Sequence, residues 1–214
     1  MKIAILLPYK EDYSPKYSGA VSIHVSNTIK YSKFRKSIKV YGNTNKKAYL
    51  SNNFKNIKIS SNILFSNNKK YLQKFINHNI KDSPDIIEIH NRPSYVKAIK
   101  ENLKSKIMLY FHNNPSTISG SKSLNDRLLL LDRCEYIFFN SNWTKNQFFK
   151  GIDENNFKSK FGVCFQSTKK TKVDINQKQK LISFVGKLNS AKGYDVFGQA
   201  IIQILNEYRD WKSV

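Results

Sequence analysis

The sequence predicts an α/β fold, a mostly parallel sheet covered by helices with a second, truncated unit of the same kind after it. Three observations predict it. Apolar runs of strand length alternate with stretches of helical period along the chain. The first such run, Ile3–Leu7, is continuously apolar up to Pro8, as a strand buried on both faces reads. The 214 residues, 40% apolar and 13% aromatic, are enough to bury one full core and part of another.

The elements follow in order. A polar loop, Tyr9–Ser18, leads from the first strand to Gly19, and Val21, Val25, Thr28, Ile29 and Ser32 then keep helical spacing towards Phe34. Ile38–Tyr41 reads as a second strand closed by Gly42. Asn43–Asn56 is polar with little periodicity, and Ile57–Ile59 reads as a third strand. Tyr71, Leu72, Phe75 and Ile76 form the apolar stripe of a lysine-rich helix. The next strand is Asp85–His90, followed by a helix over Ser94–Leu103, a strand at Ile107–Phe111 and a loop at Ser116–Ser123. A helix containing Leu128–Leu131, a strand at Tyr136–Phe139 and a short helix at Trp143–Phe149 complete the first unit. Residues 1–165 are thus one domain. Residues 166–180 are polar and aperiodic, as a linker is. From 181 a new unit starts, with a strand at Leu181–Val185 and an amphipathic helix at Tyr194–Tyr208. One strand and one helix do not make a core, so this second unit is expected to be incomplete.

Composition narrows the function classes. Lys and Arg number 37 against 15 Asp and Glu, a formal charge of +22. Arginine stands only at Arg35, Arg92, Arg127, Arg133 and Arg209, and lysine is spread along the whole chain with Asn and Ile, the mark of a coding bias. A nucleic-acid reader concentrates Arg and aromatics on one face, so no nucleic-acid partner is expected. Attraction to an anionic membrane surface stays open. No apolar run approaches the roughly 18–20 residues of a membrane-spanning helix, and Met1–Pro8 is too short for a secretory signal. The expected location is cytoplasmic, with peripheral attachment to the inner face of the cell membrane as an option. Cys134 and Cys164 have no metal-ligand spacing; reduced buried thiols are expected, with a disulfide or a reactive thiol as alternatives.

Neither G-x-G-x-x-G nor G-x-x-x-x-G-K-[ST] occurs, nor D-x-D, H-E-x-x-H or G-x-S-x-G. Polar residues do stand at strand ends, where sheets of this class hold ligands. They are Pro8 and Tyr9 with Gly19-Ala20 at the next helix start, then His90-Asn91-Arg92, His112-Asn113-Asn114 and Asn140-Ser141. A strand-end histidine is a structural group or a catalyst, and a helix-start glycine is a turn or a close approach to an anion. Four such ends on one sheet edge point to a cleft. In the second unit, Phe184–Asp195 runs from a buried-type strand into a Gly-flanked loop with Lys187 and Lys192, then into a helix. Two cations and a helix N-terminus suit a diphosphate, and solvated lysines are the alternative.

The segment Phe184-Val185-Gly186-Lys187-Leu188-Asn189-Ser190-Ala191-Lys192-Gly193 resembles the donor-domain entry of family-4-type glycosyltransferases of the GT-B fold. Lys192-Gly193 matches directly. Lys187 stands where an arginine is usual, keeping the charge but not the bidentate fork. Nearly all of the first 165 residues resemble the acceptor domain of that family, a Rossmann-like domain. The carriers are Gly19-Ala20, where a Gly-Gly pair is usual, the strand Asp85–His90, Leu109-Tyr110-Phe111-His112, and Phe139-Asn140-Ser141 with Trp143-Thr144-Lys145. The usual Asn-Gly before the linker is replaced by Val163–Ser167.

The resemblance implies transfer of a sugar from a nucleotide-sugar donor to a glycan or lipid-linked acceptor in cell-surface polysaccharide or lipopolysaccharide assembly. It implies retention at the anomeric carbon, no cofactor and no required metal. On that footing His112 is the catalytic candidate; Lys187, Lys192, Gly19, Ala20 and Gly193 are the diphosphate candidates, since charge develops on the leaving phosphate. His90, Asn91, Arg92, Asn113 and Ser141 line the acceptor side. The family's E-x7-E pair would fall beyond Val214, so the 214 residues are expected to be an N-terminal fragment with little activity alone. A non-catalytic glycan- or lipid-binding module, or one that works with a partner chain, is the alternative.

Overall fold

The structure, a computed structural model, describes residues 1–59, 66–167, 171–186 and 188–214. They divide into two compact units, Met1–Ser167 and Thr168–Val214.

In the first unit the described strands are β1 (Ile3–Leu6), β2 (Ile38–Gly42), β3 (Phe54–Asn56), β4 (Ile86–His90), β5 (Lys106–Phe111), β6 (Tyr136–Phe139) and β7 (Phe161–Val163). They form one seven-stranded sheet in the order β3-β2-β1-β4-β5-β6-β7, and every neighbouring pair is parallel. The helices between them are α1 (Ala20–Tyr31), α2 (Asn67–Asn79), α3 (Val96–Asn102), α4 (Leu124–Arg133) and α5 (Asn142–Phe149). This is the expected α/β class, with short one-turn helices at Pro93–Tyr95 and Pro115–Thr117 added after β4 and β5.

Period-two alternation sorts the strands' side chains onto two faces. Ala4, Leu6, Ile87, Ile89, Leu109, Phe111 and Phe139 meet Phe75, Val96, Ile99, Leu131 and Phe148 from α2 to α5. Ile5, Leu7, Ile38 and Val40 meet Val21, Val25 and Ile29 of α1 on the other face. Glu88, His90 and Tyr110 share the α1 face, because they alternate with Ile87, Ile89, Leu109 and Phe111. Caps fix the helix starts. Ser123 and Asp126 form a reciprocal capping box on α4, each bond 3.1 Å long. The fully buried Tyr71 of α2 sends its hydroxyl to the carbonyls of Leu7 (3.0 Å) and Tyr41 (3.1 Å), tying the helix to the ends of β1 and β2.

The structure corrects four sequence expectations. The third strand is Phe54–Asn56, not Ile57–Ile59. An edge strand is covered on one side only, so Phe54, stacked on Tyr13 at 4.9 Å between ring centroids, is apolar surface enough for it. Ile57 is core but sits at the end of the ladder, donating its N–H to the Gly42 carbonyl at 2.7 Å. β7 lies in a stretch without strand patterning, because Gly162 interrupts it; the Tyr136 hydroxyl would stand 2.6 Å from a Cβ there. Cys134 is buried, whereas Cys164, just past β7, is exposed.

The fourth correction concerns the second unit. Its strand is shorter than expected, β8 (Leu181–Ile182), and the chain returns after α6 (Tyr194–Glu207) in a parallel strand, β9 (Lys212–Ser213). The unit is therefore a βαβ turn rather than one strand and one helix. Phe184 meets Tyr194 and Phe197, each at 5.3 Å between centroids. Among the described residues of this unit none is buried. No described helix is long and apolar enough to cross a membrane.

Candidate functional site

All the strand ends of a parallel sheet that carry ligand-type residues lie on one edge, and here the loops after β4, β5, β6 and β7 meet there. Backbone bonds carry the sheet just past its strands: Asn91 N–H to Tyr110 O (2.9 Å), Asn140 N–H to Phe111 O (3.1 Å) and Cys164 N–H to Phe139 O (2.9 Å). Asn91 then takes a left-handed backbone (φ 51°), a conformation Asn tolerates better than most residues. That turn aims its Oδ1 across to β5, where it accepts from the N–H groups of His112 (2.9 Å) and Asn113 (3.3 Å). From the other side Asn140 Nδ2 donates to the His112 carbonyl at 2.8 Å. Two asparagines thus clamp the backbone of the residue singled out as catalytic.

The side chains form a line. Glu88 Oε1 accepts from His90 Nε2 at 2.6 Å, His90 Nδ1 lies 2.8 Å from His112 Nε2, and His112 Nδ1 lies 2.8 Å from Gln166 Nε2. The Tyr110 ring stacks on His112 (4.3 Å between centroids, 20° between planes), and His24 of α1 packs edge-on to His112 at 5.3 Å. The Tyr110 hydroxyl donates to the Cys164 carbonyl. Burial, followed by the electrostatics of His90 and His24, pushes His112 down to about 2. Burial lowers His24 as well, with His90 next. For Glu88 burial acts upward, but the hydrogen bond and electrostatics of His90 and the His24 ring leave it below the usual carboxylate value. The result is a neutral imidazole at the mouth and a carboxylate at the back. Among the described residues no three His, Cys, Asp or Glu side chains are set to hold a metal ion.

Of the other expected residues, His90 and Asn91 join His112. His90 is fully buried and reaches the edge only through His112. Arg92 donates to the Asn91 carbonyl at 2.8 Å, and its charge acts on Tyr71 and Tyr95, away from the imidazoles. Asn113 is exposed. The Ser141 hydroxyl caps α5, accepting from Thr144 N–H at 3.1 Å. Gly19 caps α1 and Ala20 is its first residue, but the chain supplies its own anion there. Glu11 Oε1 accepts from Ser22 N–H at 2.8 Å and would crowd a Cβ on Gly19 at 2.6 Å. In the second unit Lys192 is exposed at the end of a one-turn helix, and Gly193 takes the left-handed conformation (φ 73°) that starts α6. Lys187 lies outside the described residues.

Sequence reasoning missed four members of the cluster. Glu88 and Tyr110 carried a signal, each two residues before a strand-end histidine and so on the same face. His24, between Val21 and Val25, and Gln166, in a polar stretch, carried none.

Comparison with solved structures agrees with the fold. The chain is similar to Anabaena HepE in complex with UDP and glucose, with a TM-score of 0.63 at 13% identity over 95% of this chain and 58% of that one. It is similar to HepE in complex with UDP-glucose at a TM-score of 0.62 and 12% identity, with the same coverage. A UDP-N-acetylglucosamine 2-epimerase gives a TM-score of 0.59 at 11% identity over 100% of this chain and 63% of that one. The chain therefore spans less than two thirds of these structures. At such identities the likeness shows a shared Rossmann-like α/β fold. No protein-family model and no curated protein matches the sequence.

Proposed function

We propose that the chain is the acceptor-side part of a glycosyltransferase that moves a sugar from a nucleotide-sugar donor to a glycan or lipid-linked acceptor, in cell-surface polysaccharide assembly. The observation that carries this reading is the cluster at the carboxyl edge of the sheet, a neutral, clamped His112 backed by a charged relay. It stands on a fold shared with proteins solved with UDP, glucose or UDP-glucose. A neutral imidazole is suited to hydroxyl groups rather than to anions, which assigns it to the sugar and not to the diphosphate. Transfer in this reading proceeds with retention and needs no metal, the diphosphate being met by Lys192, Lys187 and helix N-termini. Docking of the lysine-rich surface on anionic lipid belongs to the same proposal and would weaken as salt rises.

One observation favours a second reading, a non-catalytic glycan-binding module. The α1 N-terminus already holds the Glu11 carboxylate, which repels a diphosphate. Titration of 15N-labelled protein with UDP-glucose, UDP and glucose separately decides between them. The transferase reading expects amide shifts at His112, Asn113 and Asn140 with glucose and UDP-glucose at millimolar concentration, and shifts at Lys192–Tyr194 or Ala20–Ser22 with UDP. Shifts with glucose alone select the binding module. No response to any of the three sinks both.

A further inference from the structure

The line of contacts from Glu88 to Gln166 has two ends whose chemistry is fixed. An ionised carboxylate only accepts hydrogen bonds, and an amide nitrogen only donates them. Glu88 Oε1 at 2.6 Å therefore requires a proton on His90 Nε2. Gln166 Nε2 at 2.8 Å requires that His112 Nδ1 carry none. Between the rings one proton must serve a 2.8 Å contact, and with both rings neutral it sits on His112 Nε2 and points at His90 Nδ1. Three contacts, three protons and one negative charge close without a clash. An extra proton on either ring would set two N–H groups facing each other or face an N–H to the Gln166 amide.

We infer that Glu88 and His90 are positioning residues that hold His112 in its Nε2–H tautomer, so that Nδ1 is presented as an acceptor for a ligand hydroxyl and is covered in the free protein by Gln166. His90 is fully buried and Gln166 is exposed, so the ligand enters from the Gln166 end and never meets His90. Gln166 lies beyond β7 in a segment joined to the sheet by the Cys164 N–H and the Tyr110 hydroxyl, and its side chain is exposed, with His112 as its one hydrogen-bond partner among the described residues. A hydroxyl that replaces the amide meets the same lone pair, whereas a ligand offering only acceptors does not. The tautomer assignment stands on the contacts alone; the identity of the ligand as a sugar rests on the reading proposed above.

The chain has four histidines, so 15N-histidine labelling of the full chain gives a spectrum simple enough to assign. Protonated and unprotonated imidazole nitrogens are well separated in 15N shift, and long-range 1H–15N spectra identify the tautomer directly. Near neutral pH the expected result is His112 with Nε2 protonated and Nδ1 bare, and His90 with the same pattern. A proton on His112 Nδ1 in the wild-type protein overturns the inference. In a Gln166→Ala background, where the amide no longer fixes Nδ1, Glu88→Leu removes the acceptor at the back of the line, and His112 should then sample both tautomers. Glu88→Gln, whose amide oxygen still accepts, should restore the wild-type pattern. A Gln166→Ala, Glu88→Leu protein that folds and keeps the wild-type His112 pattern also overturns it; should that variant not fold, the wild type and Glu88→Gln still decide. Gln166→Ala should strengthen the response of His112 Nδ1 to added glucose, and an unchanged response refutes the cover. The correct tautomer with no glucose response at either His112 or its neighbours defeats the sugar reading and leaves the relay standing.

Discussion

Mild acid should destabilise the fold through His112, because the unfolded chain takes up a proton there that the folded chain does not. The imidazole is held down to about 2, by burial first and then by the His90 and His24 rings, against an unfolded value of 6.5. As pH falls below 6.5 the unfolded chain takes up a proton there that the folded chain refuses. Stability is therefore lost on the acid side and is fully present only above 6.5. One pH unit of such mismatch is worth about 1.4 kcal/mol, so between pH 7 and 5 the single residue costs roughly 2 kcal/mol, a sizeable part of a typical total. His24, also lowered, acts in the same direction. Glu88, lowered as well, loses its contribution only further down, as pH falls below its unfolded value of 4.5. Urea denaturation at about pH 7, 6 and 5, on wild type and His112→Gln, isolates the effect. The variant should lose about 2 kcal/mol less than wild type over that interval. Parallel losses in the two proteins would refute the reasoning, because they would mean that His112 protonates as freely in the fold as out of it.

Three further outcomes are expected. Tyr71→Phe should cost about 1–3 kcal/mol in urea, since the Leu7 carbonyl is left buried without its partner, and a loss near zero would contradict the hydroxyl's role. Burial raises the Tyr71 hydroxyl well above 10, so wild type should also lose stability above about pH 10, where only the unfolded chain ionises, and Tyr71→Phe should blunt that loss. Glu11→Gln should cost about 1 kcal/mol through the weakened α1 cap while enlarging the amide shifts of Ala20–Ser22 on adding pyrophosphate; shifts no larger than in wild type would show that Glu11 does not compete for that helix end. Hydrogen exchange should separate the units, with β1, β4 and β5 protected and β8, α6 and β9 exchanging fast, given that no described residue of the second unit is buried; equal protection would speak against it.

The central strands were legible because burial on both faces writes itself as an unbroken apolar run, as at Ile3–Leu6 and at residues 107–111 of β5. The edges were not. Phe54–Asn56 and Phe161–Val163 are three residues each and need little apolar surface, so hydrophobicity reports their neighbours instead. At the site the strand-end histidines were visible, since a polar residue closing an apolar run is conspicuous. Their connection was not, because it depends on which face Glu88 and Tyr110 share and on a glutamine 54 residues from His112. Glu11 at the α1 end was equally hidden: a loop carboxylate folding back 11 residues onto a helix start has no spacing that announces it.

Asparagine is background in this lysine- and asparagine-rich chain, and mutational drift at most of its positions should pass unnoticed. Asn91 is different. Its backbone tolerates mainly glycine, asparagine or aspartate, and its two received N–H bonds exclude glycine. Aspartate would set a second negative charge next to a relay balanced around one. Where the three conditions intersect a single residue type remains, so this one asparagine should be among the least replaceable positions in the chain. An exhaustive substitution library would find it intolerant in the midst of tolerant asparagines.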